Sequence, residues 1–209
     1  MLSLDTALSF FTVALLLGFT PGPDNLFVLM QSVSRGCRAG LIVMLGLCAG
    51  LCVHTAAVAL GLAAVFAASP GAFVVLKLVG AAYLLYLAWQ AWRAPAEALG
   101  SQAAQPAASA RSLFLKGIVM NLTNPKVVLF FLAFLPQFVE PSAGPVGVQI
   151  VLLGALFVLS TLLAFGSIAL LAGVLGERLL RSARAQTVLN RLAAAVFAGL
   201  AVRLLATSR

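Results

Sequence analysis

Two short proline-containing segments carry most of the polar chemistry in an otherwise apolar chain. The first reads Thr20-Pro21-Gly22-Pro23-Asp24-Asn25, and the second reads Asn121-Leu122-Thr123-Asn124-Pro125-Lys126. Asp24 and Lys126 supply a carboxylate and an ammonium, which together could hold the two charged ends of a zwitterion. An ionised side chain inside a membrane span costs at least about 2.5–3.5 kcal/mol, so each should face the protein interior and find a partner.

Both segments should interrupt a helix. Proline lacks a backbone donor and clashes with the preceding turn, and Gly22 between two prolines adds conformational freedom. Unpaired backbone groups at membrane depth are tolerated only where they are buried in protein or line a wet cavity. The sequence therefore predicts two broken helices around a polar cavity. Two alternatives stay open: a surface loop with Asp24 as a solvated helix cap, or a buried Asp24–Lys126 pair that only fixes packing.

The composition places these segments in a membrane protein. Hydrophobic residues make up 63% of the 209 residues and charged residues 9%, with a mean hydropathy of +1.12. A soluble domain has about 25% charged residues, disorder needs low hydrophobicity, and three cysteines are too few for a disulfide scaffold. The net charge of +8 does not indicate nucleic-acid binding, because the cations lie between apolar runs without interleaved aromatics.

Six apolar runs predict six transmembrane helices in an all-α polytopic protein, since a span needs about 20 apolar residues. The runs cover residues 4–30, 41–67, 72–92, 113–135, 146–173 and 188–205. The N-terminal run lacks a basic region and a small-residue cleavage site, so we interpret it as a retained span.

The distribution of Lys and Arg predicts the orientation. Nine cations fall in, or within four residues of, the links after the first, third and fifth runs, and the other two links have none. These nine are Arg35, Arg38, Arg93, Arg111, Lys116, Arg178, Arg181, Arg184 and Arg191. The positive-inside rule makes the three basic links cytoplasmic and both termini periplasmic. Arg203 and Arg209, near the C-terminus, conflict with this orientation.

An internal repeat relates the two proline-containing segments. At an offset of 102 residues, Pro23 aligns with Pro125 and Asp24 with Lys126. Residues 93–112 are rich in Ala, Ser, Gln and Pro and are predicted to form a flexible cytoplasmic linker. This linker separates a first repeat, residues 1–92, from a second, residues 113–209. Three spans each would make the repeats inverted, with helices 1 and 4 broken, as in many secondary transporters.

The remaining polar residues point to no other chemistry. Lys77 is expected to reach the outer interface, with a secondary cavity role as the alternative. Cys48, Cys52 and His54 make a poor metal site, and no hydrolase or nucleotide-binding motif occurs. The chain is therefore predicted to be neither an enzyme nor a metal or cofactor protein. The spacings Gly36/Gly40 and Gly46/Gly50 are typical of close helix packing and would permit a homodimer.

Both proline-containing segments, together with Leu76-Lys77-Leu78-Val79-Gly80-Ala81-Ala82-Tyr83-Leu84 and Pro136-Gln137-Phe138, carry a family resemblance. Over essentially its whole length the chain resembles the LysE/RhtB family of bacterial amino-acid exporters. The resemblance implies an inner-membrane protein of about six spans. It also implies export of amino acids or derivatives such as threonine, homoserine, leucine or lysine, driven by the proton motive force.

The functional hypothesis is a secondary exporter whose substrate enters a cavity between the two broken helices. The candidate binding or coupling residues are Thr20, Pro21, Gly22, Pro23, Asp24, Asn25, Asn121, Thr123, Asn124, Pro125 and Lys126. Protonation of Asp24 would switch its pairing between Lys126 and the substrate. The alternatives are an ion channel, although no filter-like motif occurs, and a structural membrane subunit.

Overall fold

A computed structural model describes residues 2–68, 70–94, 109–172 and 182–206, and these are helical apart from short connections. No strand occurs in those ranges, so the predicted all-α class is confirmed. The α-helices are α1 (Leu4–Phe19), α2 (Pro23–Arg35), α3 (Cys37–Ala68), α4 (Pro70–Arg93), α5 (Ala110–Thr123), α6 (Pro125–Leu129), α7 (Val146–Leu171) and α8 (Ala183–Ala206).

Both predicted helix breaks are present. Helices α1 and α2 are separated by residues 20–22 and meet at an angle of 61°. Helix α5 and the segment that begins at Pro125 meet at 51° across Asn124 alone. Proline is the first residue after each break, where its fixed φ suits a helix start and its missing donor is not needed.

The second half of the second broken helix is irregular. After the five residues of α6, the chain forms a π-helical turn at Phe130–Phe134 and a 3₁₀ turn at Leu135–Phe138. Pro136 cannot donate the bond that a continuing α-helix would require. A second 3₁₀ turn, Pro141–Ala143, then leads into α7.

The helices are long enough for a multi-pass membrane protein. Cys37–Gly61, Val146–Leu171 and Gln186–Ala206 can each cross a bilayer, and the two bent pairs bring the total to five spans among the described residues. The third predicted span, residues 72–92, corresponds to α4, which has 24 residues but is not among these five. Six spans in an exact inverted repeat therefore stay a prediction.

Helices from the two predicted repeats pack on each other. Helix α3 packs against α5 and α7, α1 packs against α7, and α4 packs against α8. Glycines permit the closest approach: a Cβ at Gly46 would lie 2.1 Å from the carbonyl oxygen of Phe114, and one at Gly50 would lie 2.7 Å from Asn121 Cβ. These two glycines thus have the packing role that their spacing indicates.

A cation–π contact brings one end of α4 next to one end of α8. The guanidinium groups of Arg93 and Arg191 lie over Trp89 and Trp92, so the ends of α4 and α8 that carry them meet. Both ends of the predicted linker, residues 93–112, are helical. Helix α4 extends to Arg93, and helix α5 begins at Ala110. Residues 95–108, Arg178, Arg181 and Arg209 lie outside the described residues.

Candidate functional site: a buried charge cluster between two broken helices

Five of the predicted polar residues meet in the interior, where α2, α5 and α6 approach each other. They are Asp24, Asn25, Asn121, Asn124 and Lys126, all buried. Asp24 retains 2% of its exposed surface and Lys126 retains 7%. A solvated surface loop at Asp24, the first alternative, does not fit this burial.

The end of α1 supplies acceptors for the cation. Lys126 Nζ donates to the carbonyl oxygens of Leu17 and Thr20, each at 3.3 Å. In a continuous helix the Leu17 carbonyl would accept from the amide of residue 21, but Pro21 has no N–H. The Gly18 carbonyl likewise accepts a side-chain bond, from Asn25 Nδ2 at 2.6 Å. The break therefore converts helix carbonyls into a binding surface for an ammonium group.

Asn124 links the Asp24 carboxylate to the first turn of α6. Its Oδ1 accepts from the main-chain nitrogen of Lys126 at 3.0 Å and so caps α6. Its Nδ2 donates to Asp24 Oδ2 at 2.5 Å. Asn124 thus bonds the Asp24 carboxylate and the Lys126 backbone, whereas the carboxylate and the ammonium interact with each other by Coulomb attraction and hydrogen-bond to other groups.

The helix start at α2 also favours the carboxylate. Gly22 is the N-cap of α2 and offers no side-chain cap, and Asp24 lies in the first turn. The free amides of a first helical turn carry partial positive charge, which stabilises an anion there. Gly22 has a φ of −167°, an extended conformation open to any residue, so the backbone itself does not require a glycine here. A Cβ at this position would lie 3.4 Å from Lys126 Nζ.

A small cavity of about 20 Å³ lies at this cluster. That volume holds about one water molecule, so the cavity is closed to anything of amino-acid size in this conformation. The lining residues are Leu17, Gly18, Asp24, Leu47, Leu51, Asn121, Lys126, Val127, Phe157, Thr161 and Phe165.

Three buried oxygens at the cluster have no hydrogen-bond partner within the described part of the chain. They are Asp24 Oδ1, Asn25 Oδ1 and Asn121 Oδ1. Buried polar atoms are normally paired, so this concentration of acceptors marks a place suited to an external donor. The cluster combines acceptors for an ammonium group with Lys126, a cation that could meet a carboxylate.

Other predicted residues lie away from the cavity. Thr123 is exposed, and its Oγ1 donates back to the Val119 carbonyl at 2.8 Å. Pro23 and Pro125 are also exposed and act through the backbone. Thr20 is buried and contributes its carbonyl. The side chain of Lys77 lies outside the described residues.

Sequence reasoning missed two contributors. Thr161 is buried, lines the cavity and comes from α7, and its signal is a hydroxyl pair, Ser160-Thr161, within an apolar run. His54 stacks on Phe131 with ring centroids 5.3 Å apart, and its Nε2 lies 3.4 Å from the Asn121 carbonyl oxygen. Within the described residues no three His, Cys, Asp or Glu side chains group as metal ligands.

Broken helices that surround buried opposite charges in a multi-pass helical protein define the architecture of a membrane transporter. The chain matches the LysE type translocator family over residues 15–208 and belongs to that family. It is therefore a membrane transport protein of the LysE/RhtB type and not an enzyme.

Three relatives illustrate the similarity. An uncharacterized membrane protein of Vibrio cholerae is 34% identical over 97% of both chains. The homoserine/homoserine lactone efflux protein of Salmonella typhimurium is 36% identical over 75% of both chains. The leucine efflux protein of the same species is 31% identical over 67% of this chain and 66% of the relative. No solved structure matches the chain significantly.

Proposed function

We propose that this protein is a secondary transporter that exports amino acids or close derivatives from the cytoplasm. The observation that carries the proposal is the pair of buried opposite charges, Asp24 and Lys126, contributed by two broken helices to one closed cavity. Relatives named for efflux of homoserine, homoserine lactone and leucine support an amino-acid substrate.

The cluster suits the common part of an α-amino acid. Lys126 can attract the carboxylate, while the unpaired oxygens of Asp24, Asn25 and Asn121 can accept from the ammonium group. A ligand would compete with the bonds from Lys126 to Leu17 and Thr20, so its binding would loosen the contact between the two breaks.

Transport requires the cavity to open to each side in turn. A volume of about 20 Å³ corresponds to a closed state, so the helices around it must move apart to admit an amino acid. We propose two inverted repeats, residues 1–92 and 113–209, that rock against each other around the site. The reciprocal packing of α3 on α5 and of α7 on α1 supports such an exchange.

Asp24 is the proposed proton carrier. Ionised Asp24 would accept from the substrate ammonium group, and a proton entering from the outside would neutralise Asp24 and release the substrate, so inward proton movement would be exchanged for outward substrate movement. This scheme uses the proton motive force of a bacterial inner membrane. The basic links predict a cytoplasmic face for the loops that contain Arg35 and Arg93 and periplasmic termini. A homodimer stays a prediction.

The test is transport in proteoliposomes that contain the full-length protein, with radiolabelled L-homoserine and L-leucine as probes. Wild-type protein should show saturable counterflow and accumulation driven by an imposed pH gradient. Asp24→Asn should lose the gradient-driven accumulation, and Lys126→Ala should lose both activities. Lys116→Ala is the matched control, because Lys116 is an exposed lysine over the Phe27 ring, away from the cavity.

Two results would contradict the proposal. Normal gradient-driven transport by both Asp24→Asn and Lys126→Ala would exclude the charge cluster from the mechanism. Single-channel current without saturable counterflow would instead identify an ion channel, the main alternative.

A further inference from the structure

A second and larger cavity lies at the end of the molecule where α1 begins. Its volume is about 440 Å³, within the range of small-molecule sites, whereas the central cavity measures about 20 Å³. The lining residues come from α1, the turns after α6, and α8: Asp5, Thr6, Ser9, Phe134, Gln137, Phe138, Val139, Glu140, Arg203 and Leu204. We call it the outer cavity.

The outer cavity combines an apolar floor with charges of both signs. Phe134 and Leu204 are almost fully buried, while Asp5, Glu140 and Arg203 are exposed at its rim. The Arg203 guanidinium lies 4.9 Å from the centre of the Phe138 ring, a cation–π contact that positions it. Two carboxylates and a guanidinium around one cavity match the ammonium and carboxylate ends of a zwitterion.

Two polar contacts indicate a built site. Gln149 retains 2% exposure, its Oε1 accepts from the Glu140 amide at 3.0 Å, and its Nε2 donates to the Glu140 and Gly144 carbonyls at 2.8 and 3.1 Å. These bonds fix the Glu140 backbone, and the Glu140 carboxylate accepts from Ser142 Oγ at 2.7 Å. Gln137 Oε1 is buried and has no hydrogen-bond partner among the described residues.

The site also accounts for Arg203. The positive-inside rule places few cations at the outer end, and Arg203 conflicts with that rule as a topology signal. Arg203 lines a cavity that Asp5 and Glu140 also line, which gives it a different reason to be there, namely recognition of an anionic group.

Aromatic rings separate the two cavities. Phe138 lines the outer cavity, Phe157 lines the central one, and Phe10 contacts both rings, with centroids 5.2 and 6.4 Å away. Phe130 packs on Phe157 at 4.8 Å. A ligand released from the central cavity towards this end would therefore reach the outer cavity next.

We propose that the outer cavity is a second binding site for free α-amino acids, which hold their carboxylate at Arg203 and their ammonium group at Asp5 and Glu140. The site receives the transported amino acid after it passes the aromatic rings. This role in transport rests on the proposed export function, but binding to the outer cavity can be measured without transport.

The test measures equilibrium binding of radiolabelled L-homoserine and L-leucine to the purified full-length protein. Lys126→Met disables the central site, so the binding that this variant keeps reports the outer cavity. Adding Arg203→Gln should weaken the retained binding about tenfold or more, because a charge-assisted contact to the carboxylate is lost. Arg203→Lys should recover part of it. L-homoserine lactone, which has no free carboxylate, should compete about tenfold less well than L-homoserine.

Arg191→Gln is the matched control, because Arg191 is also an arginine of α8 that lies over an aromatic ring, that of Trp92, about 18 Å along the helix from Arg203. Its binding should equal that of the parent protein. If Lys126→Met does not accumulate, the Asp24→Asn/Lys126→Met double variant takes its place.

The outcomes separate the site from the function. Unchanged binding in Arg203→Gln, equal loss in Arg191→Gln, or no binding of either probe to any variant would overturn the outer site. Binding that depends on Arg203 without any counterflow would keep the site and reject export. Counterflow by a wild type that lacks Arg203-dependent binding would keep export and reject the site.

Discussion

The two helix breaks occupy equivalent places in the sequence but are built differently. Between α1 and α2 three residues intervene, the bend is 61°, and the N-cap Gly22 has no side chain. Between α5 and α6 only Asn124 intervenes, the bend is 51°, and its side chain caps the next helix. The first break leaves backbone carbonyls available to accept from a side chain, whereas in the second break the Asn124 side chain bonds the first turn of the next helix.

Each break supplies hydrogen bonds to the charged residue of the other break. The carbonyls of Leu17 and Thr20 in the first break accept from Lys126 of the second. The amide of Asn124 in the second break donates to Asp24 of the first. The two breaks are therefore coupled by hydrogen bonds, and a substitution at either break should change the bonding at both.

Lys126→Met should have the largest effect, because it removes the cation whose charge balances Asp24 at the cluster. Leaving one partner of a buried ion pair costs about 3–5 kcal/mol. We expect a large loss of folded protein in the membrane and transport at the level of protein-free vesicles. Thermal unfolding followed by size-exclusion chromatography measures the first, and counterflow measures the second.

The double variant Asp24→Asn/Lys126→Met sharpens this result. Without either charge the burial penalty disappears, so the folded amount should recover while transport stays absent. Lys116→Met, at an exposed lysine of α5, should change neither property. A double variant less stable than Lys126→Met alone would show that the two charges are not coupled.

The asymmetry of the breaks also marks what the sequence can predict. The prolines at positions 21, 23 and 125 predict both interruptions, since a missing donor and a ring clash are local properties. The 102-residue offset correctly suggests that Asp24 and Lys126 lie near each other, because both line one cavity. The helical class follows from apolar runs of span length.

The partners of those charges could not be predicted in the same way. The Leu17 carbonyl is a backbone atom, so no side-chain pattern marks it as an acceptor. Thr161 reaches the cavity only through the packing of α7, which depends on contacts distant in sequence. The sequence predicts Thr123 at the site because it belongs to the second segment, but it is two positions from Asn121, a separation that places the two on different faces of α5.

Asn124→Leu should have the second-largest effect, since Asn124 serves both breaks at once. The variant loses the N-cap of α6 and the donor to Asp24, and leaving a buried acceptor unsatisfied costs about 1–3 kcal/mol beyond the cap itself. We expect lower thermal stability and a counterflow rate reduced by about tenfold or more. Counterflow per folded molecule separates the two losses.

Two further variants separate the capping role of Asn124 from its hydrogen bond to Asp24. Ser109→Ala removes the N-cap of α5, where Ser109 Oγ accepts from the Ser112 amide at 3.2 Å, and should cost about 1 kcal/mol without changing counterflow. Asn124→Asp keeps a capping oxygen but sets a second carboxylate beside Asp24, so transport should fall. Wild-type counterflow in Asn124→Asp would reduce Asn124 to a helix cap.

Gly22→Ala should have the smallest effect. It tests whether the missing side chain at the first break leaves room that the Lys126 ammonium group needs. The backbone there is extended and accepts alanine, so the added Cβ acts only through its position 3.4 Å from Lys126 Nζ. A shift of a few tenths of an ångström in the ammonium should slow counterflow by about two- to fivefold, since a misplacement of 1 Å can cost about a hundredfold.

Gly36→Ala is the opposite control: its φ of +85° strains any side chain, while nothing lies within 4 Å of its Cβ. It should lower thermal stability by about 1 kcal/mol and leave counterflow per folded molecule unchanged. If Gly22→Ala leaves counterflow per folded molecule unchanged, the room that Gly22 leaves for Lys126 has no functional consequence.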